Sequence, residues 1–132
     1  MLFLTGERGS IMRGNYRKLS VYQDALSLVD MSYAMIQNFP VWERNNLADQ
    51  LRRASTSVAL NIAEGSGRPS TRDYIKFLQI ALGSVNEIEA IAEIAIRQKL
   101  LTDMSYQKFS RHLSKLRRKL IKLMKSLQPK EE

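Results

Sequence analysis

The sequence predicts an all-α protein that folds as an antiparallel up-down-up-down four-helix bundle. Proline and glycine divide the chain into four amphipathic segments, and no segment shows the strict apolar–polar alternation of a half-buried strand. Short connections between long helices force sequence neighbours to pack side by side. The 132 residues are enough for one domain.

The first helix is predicted over residues 20–38, before the proline at position 40. Its apolar stripe, at three- and four-residue spacing, is Tyr22, Leu26, Val29, Tyr33 and Ile36. Residues 1–16 are expected to form a flexible N-terminal extension. Met1 and Met12 remain alternative starts of the functional chain.

The second helix is predicted over residues 46–64, with Asn45 or Asn46 as its N-cap. Its stripe is Leu47, Leu51, Ala54, Val58 and Ile62. Gly65 is predicted to end this helix in the left-handed conformation that glycine tolerates after a last helical turn.

The third helix is predicted over residues 71–98, after Ser70 and Asp73 in a pattern that resembles a capping box. One stripe contains Tyr74, Leu78, Ala81 or Leu82, Val85, Ile88, Ala92 and Ala95. Ile80, Ile91 and Ile94 make the helix apolar on more than one side. We therefore expect bundles to pack on one another.

The fourth helix is predicted over residues 103–128, capped by Thr102 or Asp103 and followed by a tail over residues 129–132. Its heptad seam, predicted to face the core, is Tyr106, Phe109, Leu113, Leu116, Leu120, Leu123 and Leu127. The bundle as a whole is predicted to span residues 17–128.

Composition argues against most catalytic and membrane functions. The chain has no cysteine and a single histidine, His112, and it lacks a P-loop and the Glu-x-x-His pattern of di-iron bundles. No apolar run approaches the roughly 18 to 20 residues that cross a bilayer. The sequence therefore predicts a cytoplasmic protein that is not an enzyme and holds no metal or cofactor.

The positive charge is concentrated on the last helix. The chain has 21 basic and 13 acidic side chains and a net charge of +8, and residues 104–132 hold nine of the basic and two of the acidic ones. Basic residues follow the seam two positions on, along about 26 Å of helix. They are Lys108, Arg111, Lys115, Arg118, Lys122 and Lys125, with Arg117 and Lys119 adding to the row.

This row predicts binding to the phosphate backbone of RNA or DNA, because like charges at helical spacing repel and alternating Glu and Lys would keep a helix soluble equally well. The alternative is a solvated face, or one that binds an acidic protein. Arg52 and Arg53 form a smaller basic spot, for which salt bridges to Glu43, Asp49 or a neighbouring helix are an equally good interpretation.

Three blocks of the sequence resemble a known family. They are residues 51–58 (LRRASTSV), 61–68 (NIAEGSGR) and 77–89 (FLQIALGSVNEIE). They resemble the signature of the four-helix-bundle proteins encoded in intervening sequences of bacterial 23S ribosomal RNA genes. The residues to which we assign a structural role in this motif are Asn61, Glu64, Gly65, Gly67, Arg68, Gly83 and Ser84.

The resemblance implies a homopentamer and no established enzymatic activity. Relatives include the accessory variability proteins of diversity-generating retroelements, which are thought to bind RNA or DNA and a reverse transcriptase. An accessory role beside a reverse transcriptase is therefore one form of the nucleic-acid hypothesis. The alternative is a structural or protein-interaction module without nucleic-acid binding.

Overall fold

The computed structural model describes residues 15–129, which form four α-helices and no strand. The helices are α1 (Ser20–Ile36), α2 (Leu47–Ser66), α3 (Thr71–Arg97) and α4 (Asp103–Leu127). Short 3-10 helices at Tyr16–Lys18 and Val41–Glu43 precede α1 and α2. The predicted extension up to residue 14, with Met1 and Met12, lies outside the described residues, as do residues 130–132 of the predicted tail.

The helices pack around one hydrophobic core. Each helix contacts the next one along the chain, and α1 contacts α4, so that the contacts close into a ring. The largest fully buried side chains include Leu28, Ile62, Tyr74 and Phe109, one from each helix. This arrangement is consistent with a four-helix bundle. Tyr16, placed in the extension by the sequence analysis, packs its ring against Tyr22 with 4.9 Å between the centroids.

The predicted core stripe of α1 is wrong by one residue. The buried residues are Val21, Ala25, Leu28 and Ser32. Leu26 and Tyr33 are 37% and 44% exposed, while Tyr22, Val29 and Ile36 are half-buried. Both sets repeat at three- and four-residue spacing and differ by about 100° around the helix axis.

The start of α2 differs from the prediction. Asn46 is the residue before the helix, but its side chain accepts no hydrogen bond from a helical amide. The Glu43 carboxylate does so instead, because Oε1 lies 3.3 Å from the amide nitrogen of Leu47 and 3.1 Å from Asn46 Nδ2. The end of the preceding 3-10 helix thus supplies the cap.

Gly65 does not terminate α2. The helix continues to Ser66, and Gly67 follows it with φ −91°, in the right-handed region. Gly65 is buried against α3, where an added Cβ would lie 2.9 Å from Phe77 Cβ and 3.1 Å from Tyr74 Cδ1. The residue is therefore glycine because two helices touch at this point, not because the chain turns.

The predicted caps of α3 and α4 agree with the structure. Ser70 Oγ accepts from the amide of Asp73 at 3.0 Å, and Thr102 Oγ1 accepts from the amide of Ser105 at 3.1 Å. Between these two helices, Lys99 adopts φ 62°, which makes it the one non-glycine residue with positive φ among those described. Lys99 thus occupies the left-handed position that usually ends a helix with glycine.

The cores of α3 and α4 follow the predicted stripes except near the end of α4. Ala81 is buried where Ala81 or Leu82 was expected. Near the end of α4, Met124 is buried while Leu123 and Leu127 are half-buried. A straight helix with 3.6 residues per turn drifts from a seven-residue repeat, so the buried seam moves by one position over the length of α4. Ile91 is buried, whereas Ile80 and Ile94 are 46% and 47% exposed.

Candidate nucleic-acid interface

The outward side of α4 is a ridge of cations. Phe109, Leu113, Leu116 and Leu120 are at most 1% exposed and fix the opposite side in the core. Residues on the side of the helix opposite this seam therefore point outward. Five of the basic side chains predicted for the interface are exposed and form no ion pair within residues 15–129: Lys108, Arg111, Arg118, Lys122 and Lys125.

Two further cations of the predicted row bind Asp24 on α1. Lys119 Nζ lies 2.5 Å from Asp24 Oδ2 and 2.5 Å from Ser20 Oγ. Lys115 Nζ lies 3.6 Å from Asp24 Oδ1. The Asp24 side chain is only 15% exposed, so its charge is partly withdrawn from water. This carboxylate neutralises part of the middle of the row and joins α1 to α4.

His112 also contacts this part of α1. Its Nε2 lies 2.8 Å from the carbonyl oxygen of Asp24, 88 positions away in the chain. A carbonyl oxygen only accepts hydrogen bonds, so Nε2 carries a hydrogen and donates it. The imidazole therefore has a structural partner in the helix pair.

Arg117 faces the other neighbour of α4. Its Nη2 lies 2.7 Å from Glu89 Oε1 and 3.3 Å from Asn86 Oδ1, both on α3. Glu93 follows Glu89 by four residues and lies on the same side of α3. Carboxylates thus border the α4 ridge on its α3 side.

The smaller basic spot is also paired. Arg52 and Arg53 each lie close to Asp49, at 3.2 Å and 3.1 Å, in ion pairs within α2. The salt-bridge interpretation of these two residues therefore describes the geometry, and the structure does not bring them to the α4 ridge.

Sequence reasoning did not single out two basic residues near the start of α1, Arg17 and Lys18. Both are exposed in the 3-10 helix before α1. The start of α1 and the end of α4 line a common groove of about 370 Å³, with Ser20 on one side and Lys119 and Lys122 on the other. The packing of α1 on α4 forms this groove, which the local sequence of neither helix predicts.

The family-like blocks serve the contact between α2 and α3. Ser57 Oγ and Ser84 Oγ are 2.9 Å apart, and Asn61 Nδ2 donates to the Ser57 carbonyl at 2.8 Å and to its Oγ at 3.0 Å. At the end of α2, Arg68 lies 2.9 Å from Glu64 and 4.6 Å above the Phe77 ring. Together with Gly65 and Gly67, these residues join two helices and form the turn between them.

Gly83 has no such contact. An added Cβ would find no atom within 4 Å in this chain, although the residue lies in the middle of α3.

We also searched the described part of the chain for metal-ligand clusters, cavities and membrane-spanning helices. Residues 15–129 contain no group of three His, Cys, Asp or Glu side chains that could hold a metal ion. A cavity of about 360 Å³ between the end of α1 and the start of α4 is lined mainly by apolar residues, with Lys108 as its one charged side chain. None of the helices described here has the length and apolarity needed to span a bilayer.

The fold and the surface define a small, basic, four-helix protein whose excess positive charge lies mainly on α4. The chain belongs to the family of 23S rRNA-intervening sequence proteins, whose model matches residues 17–122. A solved structure that resembles it is a protein of unknown function from the S23 ribosomal protein family of Bacteroides thetaiotaomicron, with 27% identity and a TM-score of 0.73. The match covers 80% of this chain and 98% of that one. No protein with curated annotation matches.

Proposed function

We propose that this protein is a non-enzymatic cytoplasmic protein that binds the phosphate backbone of RNA or DNA through the outer side of α4. The observation that supports this most directly is the row of five exposed cations without an acidic partner in the described chain: Lys108, Arg111, Arg118, Lys122 and Lys125. Phosphate groups are the counter-charge that such a row fits, because a backbone presents them at regular intervals.

The distribution of acids supports the same proposal. Asp24 and Glu89 each bind cations at the flanks of α4, where α1 and α3 approach it. The outermost part of the ridge has no acid between Asp103 and residue 129. Helices that need only solubility carry both signs of charge, and their pairs add a few tenths of a kcal/mol each. Helix α4 lacks this stabilisation from opposite charges along the ridge.

A charge-reversal variant tests this proposal. Arg111, Arg118 and Lys122 should each be replaced by Glu. Lys115 is left unchanged, because a glutamate there would face the carboxylate of Asp24 and disturb the contact with α1. The control carries the same charge change at exposed cations outside α4, with Arg44, Lys76 and Arg97 replaced by Glu.

Binding to fluorescently labelled mixed-sequence RNA and DNA is measured by anisotropy, and circular dichroism monitors helicity. We expect the ridge variant to lose binding by about 100-fold or more, because each phosphate contact contributes separately to counterion release. The control should retain most of its affinity. Equal affinity of wild type and ridge variant would refute the proposal.

We further propose that the helices run antiparallel and that the subunits associate, as a pentamer in line with the family resemblance. Contacting residues support the antiparallel order: Ser20 and Asp24 meet Lys119 and Lys115, while Met31 and Met35 line one cavity with Ser105 and Phe109. Association is supported by the exposed residues Leu60, Ile80 and Ile94 on α2 and α3. Large exposed apolar side chains that cluster on a surface are typical of subunit contacts.

Multi-angle light scattering tests the association. A variant with Leu60 and Ile80 replaced by Lys should have the mass of a single chain, whereas replacement of the 81% exposed Met104 by Lys should leave the mass of the assembly unchanged. An oligomer that survives the double replacement would place the subunit contact elsewhere.

A second candidate function is a protein-interaction module. An accessory role beside a reverse transcriptase is the special case in which the protein binds both a nucleic acid and a protein partner. Trp42 favours a protein contact, because it is 77% exposed in the 3-10 helix before α2 and tryptophan is enriched at binding hot spots. Co-purification with a reverse transcriptase encoded next to this gene, lost in Trp42→Ala, would support the special case. An isolated gene would speak against it.

A further inference from the structure

The five unpaired cations of the α4 ridge fall into two clusters. Lys108 and Arg111 form the first, and Arg118, Lys122 and Lys125 form the second. Lys115, between them, is bound to Asp24. At 1.5 Å per residue the nearest members of the two clusters are about 10.5 Å apart along the helix, and the whole ridge is about 26 Å long.

We propose that the ridge binds double-stranded nucleic acid in preference to single strands, an inference that rests on the proposed function. One cation cluster would contact each of the two backbones that border a groove. The major groove of B-form DNA is about 12 Å wide between its phosphate ridges. The wide, shallow minor groove of A-form RNA is bordered by two backbones in the same way. A gap of about 10.5 Å between cation clusters fits a groove with charge on both sides and none in the middle.

The aromatic residues support the same conclusion. Proteins that hold single strands stack bases on exposed aromatic rings, at about 1–3 kcal/mol per base. On α4, Phe109 is 1% exposed and Tyr106 packs partly buried against the core. Tyr33 and Trp42 are exposed, but they belong to α1 and to the 3-10 helix before α2. The ridge therefore offers charge to a backbone and no surface on which unpaired bases stack.

The charge density of the nucleic acid also favours binding to a duplex. Duplex DNA carries more charge per length than a single strand, so each neutralised phosphate contributes about 0.9 to the salt slope for a duplex and about 0.7 for a single strand. Five contacts per subunit give slopes of about −4.5 and −3.5. Between about 50 and 200 mM salt, these slopes correspond to about 500-fold and about 130-fold losses of affinity.

The test uses the full-length protein with four mixed-sequence ligands of equal length: duplex DNA, duplex RNA and a single strand of each. Lengths of about 20 nucleotides exceed the ridge of about 26 Å. We expect at least one duplex to bind about ten-fold or more tightly than both single strands. The two duplex arms reveal whether the groove belongs to DNA or to RNA.

Two cluster variants make the test specific to the groove. One replaces Lys108 and Arg111 by Glu, and the other replaces Lys122 and Lys125 by Glu. If both backbones are contacted, each variant alone should reduce duplex affinity to the level of the single strand. The matched control replaces Arg44 and Lys76 by Glu and should retain the preference. Circular dichroism and thermal unfolding identify any variant that fails to fold.

Each outcome has one meaning. Single strands that bind as tightly as the duplexes would overturn the duplex inference and leave the proposed function intact. Loss of duplex affinity in only one cluster variant would also overturn it, because a single backbone would then suffice. If the wild type binds none of the four ligands, the proposed function fails, and the inference fails with it.

Discussion

The α2–α3 pair and the α1–α4 pair are held together by different chemistry. Between α2 and α3 the contacts are short and made by small residues, with Gly65 against Phe77 and the Ser57 hydroxyl 2.9 Å from that of Ser84. Between α1 and α4 long side chains converge on Asp24: two lysines bind its carboxylate, and His112 donates to its carbonyl oxygen. The first pair carries the family-like blocks, and the second carries the charge.

The difference indicates that the fold and the proposed binding surface are encoded separately. The blocks in residues 51–68 and 77–89 determine how closely two helices approach, and they contain little of the net charge. The five exposed, unpaired cations of α4 should tolerate replacement by other polar residues without loss of the core, because their side chains point away from it. Substitutions in the α2–α3 pair should therefore change stability, and substitutions in α4 should change the salt dependence of binding.

The largest effect is expected at Gly65. Replacement by Ala would place a Cβ 2.9 Å from Phe77 Cβ and 3.2 Å from the Tyr74 carbonyl oxygen, so α2 and α3 must separate. Overpacking of this kind costs about 1–3 kcal/mol, partly offset by the better helix propensity of alanine. We expect a net loss of about 1–2 kcal/mol in the free energy of unfolding, measured by urea denaturation. Unchanged stability would contradict the close approach.

The next effect is expected at Asp24, on the other side of the molecule. Asp24→Asn removes the charge that binds Lys119 and Lys115, and it keeps the size of the side chain. Because the pair is partly exposed, we expect a loss of about 1 kcal/mol in stability.

The same substitution should strengthen binding. It releases two cations in the middle of the ridge, where a duplex presents its groove and a single strand presents phosphates, so the salt slope for a single strand should steepen by about 1.4. The single strand should gain more affinity than the duplex, since the two clusters become one continuous row. As the matched control, Asp30→Asn changes charge on α1 at an exposed position and should leave the slope unchanged. A slope that stays constant in Asp24→Asn would mean that Lys115 and Lys119 do not reach the ligand.

Sequence reasoning predicted α4 well because this helix has one apolar side and one charged side. The residues Phe109, Leu113, Leu116 and Leu120 were all assigned to the core, where they are buried. In α1 the same reasoning fails, because two apolar stripes lie side by side. The predicted stripe contains Tyr22 and Leu26, whereas the structure buries the smaller Val21 and Ala25. The volume of the side chains alone therefore does not decide which face of the helix packs in the core.

The contacts of the candidate site could not be predicted for a different reason. Asp24 and Lys119 are 95 positions apart, and nothing in the local sequence of either one identifies the other. The role of Gly65 was misassigned because the following Ser-Gly-Arg-Pro pattern is typical of a turn, whereas the contact with Phe77 comes from another helix. Local patterns therefore predicted the helices and the cationic row, and tertiary packing determined which of these cations remain unpaired.

A smaller effect is expected at Lys99, between the two pairs. A non-glycine residue in the left-handed region costs about 1–2 kcal/mol, and glycine avoids this cost at some loss of chain entropy. Lys99→Gly should therefore raise the free energy of unfolding by about 0.5–1 kcal/mol. Lys99→Ala is the control, because it removes the charge and keeps the strain. Equal stabilisation by both substitutions would indicate that the charge, and not φ 62°, limits stability.

The smallest effect on stability is expected at Gly83, which sharpens the comparison with Gly65. Both residues lie inside helices, but only Gly65 has neighbours that an added Cβ would contact in the same chain. In the isolated subunit, Gly83→Ala should therefore stabilise α3 by about 0.5–1 kcal/mol through helix propensity alone. Urea denaturation at concentrations where the chain is monomeric measures this gain.

In the proposed oligomer the same substitution should act in the opposite direction. Gly83 lies three residues after the exposed Ile80, so a second subunit packed on this side of α3 would come close to its backbone. Light scattering of Gly83→Ala should then show a weakened assembly, although each subunit is more stable. If the substitution stabilises the monomer and leaves the oligomer intact, the subunit contact does not include this turn of α3. The space beside the Gly83 backbone would then not be filled by a second subunit.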